Sequence, residues 1–174
     1  MGEVTRPQPV KLFAGLLTAR PSALGEVRGR LEERLGPVDT ESGWLDFDYT
    51  DYYEPEMGAG LKRVLWGFAR LDGPEALVDL KLYTNAVEST VSVGGKRTVN
   101  IDPGYLAPSR VVLASTKDFA HRLYLGGGIY GEVTLMYRSG GFQPLPWTYP
   151  DYRSEGYQEF FRGLRRVYLR QLAG

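Results

Sequence analysis

The first forty residues pair two hydrophobic patterns that belong to different elements. Residues 10–17, VKLFAGLL, form an apolar run of strand length. Leucine and valine then recur at helical spacing over residues 24–35, with Pro21 suited to a first turn and Gly36-Pro37 to a stop. The pattern predicts a buried strand followed by a helix with one apolar face.

The next sixty residues repeat this order with an extra strand. Residues 44–49, WLDFDY, alternate apolar and acidic side chains, and residues 61–71, LKRVLWGFARL, are also typical of a strand. Residues 72–75, DGPE, resemble a helix start, although alternation at residues 78–82 leaves a strand as the alternative. The sequence VGGKRTVNI at residues 93–101 then predicts a turn and a strand.

These elements follow the order strand, helix, strand, strand, helix, strand, which is the ferredoxin-like pattern. Beyond them we expect a short helix in APSRVVLAS, a hairpin of residues 120–125 and 129–138 around three glycines, a proline-rich crossing, and a last helix from Ser154. The sequence has no internal repeat or linker. We therefore predict one α+β domain over residues 1–174, with a ferredoxin-like βαββαβ first part extended by a β-hairpin and a C-terminal helix.

Composition narrows the classes of function. The chain has 174 residues, of which 43% are hydrophobic, enough for one core. Twenty-one basic side chains balance 21 acidic ones, so nucleic-acid binding is not favoured and would need a local patch. Cysteine is absent, which excludes disulfides and thiolate chemistry. The sequence shows no membrane span and no leader pattern, so we expect a cytoplasmic protein; it does not indicate the oligomeric state.

The only histidine, His121, lies in ASTKDFAHRLYLGGGIYGEVTL, between Lys117, Asp118 and Arg122. In the predicted hairpin, Glu132 of the returning strand could oppose either His121 or Arg122, depending on register. A histidine and carboxylate pair can hold an imidazole for acid and base catalysis, whereas a lone histidine can equally be a hydrogen-bonded structural residue. Both interpretations stay open.

Two further groups of acidic residues are candidates for chemistry. Asp102 in NIDPGYL lies at a strand end, where catalytic carboxylates are common, although Asp-Pro-Gly also predicts a plain turn. Asp46 and Asp48 would share one face of a strand, where they could approach Mg²⁺ or simply form a solvated edge. Mg²⁺ is therefore a cofactor hypothesis, and no other cofactor is indicated.

The last helix carries an apolar stripe and four arginines that lie largely off it: Arg162, Arg165, Arg166 and Arg170. These could hold phosphates or form a solvated face. The preceding crossing, GGFQPLPWTYPDYRS, could stack a base or sugar on its aromatic rings, or cover the core.

Known nucleotide motifs do not fit the glycines. LGGGIYGE lacks the lysine of a phosphate loop, and VSVGGKRT lacks the first glycine. Gly126, Gly128 and Gly131 match G-x-G-x-x-G only between two predicted strands, whereas a dinucleotide site needs a strand and a helix. A hairpin turn is the simpler interpretation.

Four segments, in order, carry a resemblance to a known family: DYTDYYEPEMG, VNIDPGYL, ASTKDFAHRLYLGGGIYGEVTL and PLPWTYPDYRS. They are similar to an uncharacterised bacterial family of unknown function whose members are often described as GTP-binding proteins. The resemblance spans residues 10–172. It implies no catalytic residues.

Two hypotheses follow. The first is an enzyme or sensor that binds or turns over a nucleotide or another phosphorylated small ligand, with Asp102, Glu132 and His121 as its reactive groups. The expected ligand contacts are Asn85, Tyr105, Lys117, Asp118, Arg122 and Arg153. The second is a noncatalytic module that binds RNA or a protein through the arginine-rich helix and the aromatic crossing.

Overall fold

The computed structural model describes residues 2–174, which form one β-sheet with α-helices packed against it. The strands are β1 (Val10–Thr18), β2 (Val38–Glu41), β3 (Leu45–Asp46), β4 (Lys62–Asp72), β5 (Val99–Ala107), β6 (Arg110–Ser115), β7 (Leu123–Gly126), β8 (Ile129–Arg138) and β9 (Gly141–Pro144). The helices are α1 (Leu24–Leu35), α2 (Glu54–Met57), α3 (Ala76–Thr90) and α4 (Glu155–Leu172). Single 3-10 turns, Pro21–Ala23 and Pro150–Arg153, precede α1 and α4. Within these residues no helix is both long and apolar enough to cross a bilayer.

All strands join one antiparallel sheet in the order β2-β4-β1-β5-β6-β8-β7, with β3 beside β4 and β9 beside β8. The units β1, α1, β2, β4, α3 and β5 have the ferredoxin-like connection, with β1 and β4 in the middle of the four strands. The α+β prediction and its ferredoxin-like first part are confirmed. Strands β6 to β9 extend the sheet beyond β5.

Helices cover both faces of the sheet. One core, which includes Leu16, Val27 and Trp66, lies under α1 and α3, and a second, which includes Phe13 and Phe161, lies under α4. Strand β1 is buried on both sides, and this explains why its apolar run does not alternate.

Three local predictions were wrong. The segment predicted as a short helix, APSRVVLAS, is the turn after β5 followed by β6, because its β-branched valines pair with both β5 and β8. Residues 44–49 form a strand only at Leu45–Asp46, and the second ferredoxin-like strand is the earlier Val38–Glu41. Pro103-Gly104 does not turn the chain but lies inside β5.

Strands β5 and β6 pair over only half of their length. Residues Gly104–Ala107 pair with Arg110–Leu113, whereas the start of β5 pairs with β1 alone and the end of β6 pairs with β8. Pro103 has no N–H to donate to β6, so the ladder stops before it. At Gly104 a Cβ atom would lie 2.5 Å from the Val112 carbonyl oxygen, so only glycine fits where the strands meet. The parting of β5 and β6 opens a gap at this end of the sheet.

Candidate functional site

A cavity of about 670 Å³ occupies the gap between β5 and β6. Its walls come from the β3 to β4 connection, the start of β4, one side of α3, the end of β6 and the 3-10 turn before α4. A cavity of this size is within the range of small-molecule sites. We call it the gap pocket.

Arg63 is a buried cation of the gap pocket, with 5% of its side chain exposed. Its Nη1 donates to Asp102 Oδ2 at 3.0 Å, its Nη2 lies 3.8 Å from Asp151 Oδ2, and its guanidinium lies over the Phe47 ring. Its Nε has no hydrogen-bond partner among residues 2–174. A buried donor without a partner costs about 1–3 kcal/mol.

Asp102 is held as a carboxylate by its neighbours. Besides Arg63, the Asn100 side chain donates to Asp102 Oδ2 at 2.9 Å, and Asn100 in turn accepts from Arg97 Nη1 at 2.9 Å. Burial raises the pKa of Asp102, but the Arg63 and Lys81 charges and these hydrogen bonds outweigh it and hold the pKa below its usual value. Asp102 is therefore ionised at neutral pH.

Asp151 lies on the other side of Arg63 and behaves in the opposite way. Its Oδ2 accepts from Tyr157 Oη at 2.8 Å and its Oδ1 accepts from the Tyr152 amide at 3.0 Å. Burial raises the pKa of Asp151 above its usual value despite the Arg63 charge. The pocket thus contains two carboxyl groups beside the Arg63 guanidinium. The pKa of Asp102 is lowered, and the pKa of Asp151 is raised.

Helix α3 supplies the groups that replace β6 at the start of β5. Glu88 Oε1 accepts from the Ile101 amide at 2.6 Å, and Lys81 Nζ donates to the Ile101 carbonyl at 3.0 Å. Both side chains are buried, and burial raises the pKa of Glu88. Asn85, one turn along α3, also lines the gap pocket. The backbone of β5 is therefore satisfied by side chains that also face the cavity.

Glu132 connects the hairpin to the gap pocket. Its Oε2 accepts from Arg122 Nε at 2.9 Å and lies 3.0 Å from His121 Nε2, and its Oε1 accepts from Thr134. Arg122 also donates to Tyr149 Oη at 3.0 Å. His121 and Arg122 can both reach Glu132 because β7 starts only at Leu123, after a turn in which the Arg122 amide donates to Phe119. The hairpin was predicted to begin at residue 120, whereas residues 120–122 lie outside the strand.

Tyrosine side chains form the mouth of the gap pocket. Tyr49, Tyr52 and Tyr149 are exposed, while Tyr53 is more buried. Burial, followed by the Asp102 charge, raises the pKa of Tyr53 to about 12. Lys117 Nζ lies 4.8 Å above the Tyr52 ring, so one aromatic face is already used by a cation.

The structure brings some of the predicted site residues together in the gap pocket. Five of the residues line the gap pocket: Asn85, Asp102, Lys117, Arg122 and Glu132. His121 does not line it but contacts Glu132 and stacks on Trp147 with ring centroids 5.2 Å apart. The imidazole is therefore one residue removed from the cavity.

The other predicted contacts lie elsewhere. Tyr105 belongs to the core under α1 and α3, and Asp118 is exposed outside the pocket. Arg153 donates to the carbonyls of Leu145, Pro146 and Thr148 and thereby holds the crossing. These contacts give Arg153 a structural role in the crossing.

The proposed metal pair does not share a strand face. Asp46 is the last residue of β3 and accepts from Lys62 Nζ at 2.6 Å, while Asp48 lies beyond the strand. Across residues 2–174 no cluster of three His, Cys, Asp or Glu side chains could hold a metal ion. Residues 2–174 therefore offer no set of side chains that would bind the Mg²⁺ proposed from the sequence.

Sequence reasoning missed three central residues: Arg63, Lys81 and Asp151. A signal existed for two of them. Arg63 interrupts the apolar run of β4, and Lys81 lies next to Leu80 on a helix whose inner face is apolar. A charge within an apolar pattern must be paired or must serve a site, because burying it alone is costly.

Comparison with known proteins gives a family but no activity. No curated protein and no solved structure gives a match. A family model described as a domain of unknown function, DUF4416, matches residues 8–168, which include every element from β1 to most of α4. The chain therefore belongs to the DUF4416 family.

Proposed function

We propose that the gap pocket binds, and in an enzyme would turn over, a small phosphorylated ligand such as a nucleotide or a sugar phosphate. The observation that carries this proposal is the number of cationic donors in the pocket that protein carboxylates leave unused. Five cationic side chains line it: Arg63, Lys81, Arg97, Lys117 and Arg122. Arginine and lysine are the residues that most often bind phosphate oxygens.

Two of these cations have hydrogen-bonding capacity to spare. Lys81 Nζ donates to one carbonyl and forms no ion pair within residues 2–174, although an ammonium carries three donors. Lys117 contacts a tyrosine ring but no carboxylate in the same range. A phosphate in the cavity would supply acceptors to these groups.

Carboxylates pair with the three arginines of the pocket but not with its two lysines. Arg63, Arg97 and Arg122 pair with Asp102, Glu56 and Glu132, whereas Lys81 and Lys117 have no carboxylate partner among residues 2–174. Burial raises the pKa of the remaining two carboxyl groups, Glu88 and Asp151. The excess of positive charge over ionised carboxylates favours an anion. Because burial raises the pKa of Glu88 and Asp151, the affinity of the pocket for an anion should rise as the pH falls towards those two pKa values.

The tyrosine mouth gives space for the rest of the ligand. Exposed aromatic rings stack on flat bases and on sugars, and Tyr49, Tyr52 and Tyr149 offer such rings beside Lys117. A nucleotide would then be bound by side chains, since the chain has no phosphate loop. The description of family members as GTP-binding proteins is compatible with this mode of binding.

Turnover would use the carboxyl groups around the cations. Asp102 and Glu132 are the candidate acid and base groups that face the cavity. His121 would act through Glu132, because it contacts that carboxylate and does not itself line the pocket. It is therefore a candidate positioning or proton-relay residue.

The experiment is a thermal-shift series with nucleotides, sugar phosphates and divalent metals. A ligand at one hundred times its Kd stabilises the folded protein by about 2.7 kcal/mol, which is readily measured as a rise in Tm. Lys117→Gln should reduce this rise for phosphorylated compounds, because the exposed ammonium is lost without disturbing the core. Lys96→Gln, in an exposed turn outside the pocket, is the matched control. No rise with any phosphorylated compound, or equal rises in both variants, would refute the proposal.

A further inference from the structure

A second polar groove lies on the α4 side of the sheet. Its volume is about 360 Å³. The groove lies between the β8 to β9 turn and α4, and we call it the arginine groove. Its lining residues are Tyr137, Gly140, Glu159, Arg162, Arg165 and Arg166.

The arginine groove is separate from the gap pocket. Glu132 lines the gap pocket and Tyr137 lines the groove, five residues further along β8. At about 3.4 Å per strand residue they are roughly 17 Å apart. No lining residue is shared.

Arg165 is fixed in place before any ligand arrives. Its Nε donates to the Pro108 carbonyl at 3.1 Å, and its guanidinium carbon lies 3.6 Å from the centre of the Tyr137 ring. These contacts hold the planar fork and leave both Nη groups without a partner among residues 2–174. A fixed guanidinium loses less entropy when it binds an anion than a free one does.

The groove also concentrates unneutralised positive charge. Arg162, Arg165 and Arg166 are three and four residues apart on α4, where like charges repel by about 0.2–0.5 kcal/mol per pair. Only Arg162 has an ion pair, with Glu155, and both side chains of that pair are largely exposed. Glu159 is the one acidic side chain of the lining, so three cations face one anion.

Other arginines mark the same end of the molecule. Arg110 is the first residue of β6 and Arg138 the last of β8, next to the turn that borders the groove. The chain as a whole is neutral, with 21 basic and 21 acidic side chains, so this concentration is local. Acidic residues are gathered instead in the β3 to β4 connection.

We propose that the arginine groove is a second binding site, for a phosphate group held by the forks of Arg162, Arg165 and Arg166. Paired N–H groups of a guanidinium match two phosphate oxygens, and three such groups in one concave site suit a multiply charged anion. The phosphate can belong to a small molecule or to the backbone of a single-stranded nucleic acid. The further arginines at this end would extend the contact with a backbone.

The test compares Arg162→Gln/Arg166→Gln with the double variant Arg30→Gln/Arg34→Gln. The control removes the same charge from exposed positions of α1, on the opposite face of the sheet. Inorganic pyrophosphate is titrated by calorimetry, and a fluorescein-labelled single-stranded RNA by anisotropy over a series of salt concentrations. Gly140 and Arg165 stay unchanged, so the groove keeps its shape.

We expect the groove variant to bind the responding probe about tenfold more weakly than the control. With RNA, two lost phosphate contacts should reduce the slope of log affinity against log salt by about 1.4. With pyrophosphate, one site should be weakened by this factor in the groove variant and stay unchanged in the control, whether or not the gap pocket also takes the anion. Weakening with RNA alone assigns the groove to a nucleic-acid backbone, and weakening with pyrophosphate assigns it to a free phosphate. Equal behaviour of the two double variants with both probes overturns the proposal.

Discussion

The backbone N–H and C=O groups of β5 find hydrogen-bond partners in different ways in the two halves of the strand. From Gly104 to Ala107 the β5 backbone is paired with β6, and the side chains around it are buried and apolar. From Asn100 to Pro103 it has no strand on that side, and α3 supplies a carboxylate and an ammonium instead. The comparison shows that side chains can replace a strand neighbour, and that the exchange converts a sheet interior into a polar cavity.

The largest expected effect comes from removing the central cation of the open half. Arg63→Met should destabilise the protein by about 3–5 kcal/mol, because Asp102 and Asp151 would keep their burial and lose their shared guanidinium. Urea unfolding followed by circular dichroism measures the change. Arg30→Met, which loses only an exposed ion pair with Glu26, should cost less than about 1 kcal/mol. Similar values for both variants would show that the open half does not depend on this charge network.

A single substitution removes one of the side-chain hydrogen bonds that take the place of β6. Glu88→Ala leaves the Ile101 amide without its acceptor, and we expect a loss of about 1–3 kcal/mol. Hydrogen exchange at the Ile101 amide should accelerate more than exchange at Val112, which lies in the paired half. The exposed Glu33→Ala is the control. If the two amides responded alike, the halves would not be independent.

Acid titration should separate carboxyl groups with opposite shifts. Because burial raises the pKa of Glu88, its contribution to stability is present below the ordinary glutamate pKa and is lost as the pH rises through the folded-state pKa. Glu88→Gln keeps an acceptor for Ile101 and removes this titration. We expect the Tm of the variant, relative to that of the wild type, to increase from acid to neutral pH. A difference that stays constant or decreases would contradict the raised pKa.

Asp102 should show the reverse dependence. Its lowered pKa stabilises the protein above the ordinary aspartate pKa, and this contribution is lost as the pH falls through the folded-state pKa. Asp102→Asn should therefore lose most stability, relative to the wild type, near neutral pH and least in acid. The same Tm series measures it. A deficit that did not shrink towards acid pH would argue against an ionised Asp102.

The smallest effect on stability is expected at His121. The side chain is partly exposed, so His121→Asn should change the free energy of unfolding by less than about 1 kcal/mol. The same variant should abolish turnover of any phosphorylated substrate if the imidazole acts through Glu132. Trp147→Leu, which removes the stacking partner of His121 and the hydrogen bond from Trp147 Nε1 to the Val133 carbonyl, is a second variant for comparison. Unchanged binding together with a large loss of stability would assign His121 a structural role.

The sequence predicted elements better than it predicted their ends. The apolar run of β1 and the stripe of α4 were clear because each pattern spans many residues. The six residues of β6 were mistaken for a helix, since a short apolar segment has no decisive period. Asp-Pro-Gly was interpreted as a turn because those residues favour one locally, whereas the pairing with β1 keeps them extended.

The residues of the candidate site were predicted only in part, because local sequence patterns do not encode long-range contacts. Asp102 stood out at a predicted strand end and Glu132 stood out opposite His121 or Arg122 in the predicted hairpin, and both line the gap pocket. Asp151 sits in a proline-rich segment where nothing in the pattern marks it as buried. Its position depends on the docking of α4 onto the sheet, a long-range contact that no local pattern encodes.

Pro103 gives the cavity a kind of permanence that packing alone would not provide. Side chains in a wall can rotate and backbones can drift, but no fluctuation can create an amide hydrogen on an imino acid. The two strands therefore cannot zip together past this residue, even when the cavity is empty. The place where the strands part is therefore fixed by the sequence itself.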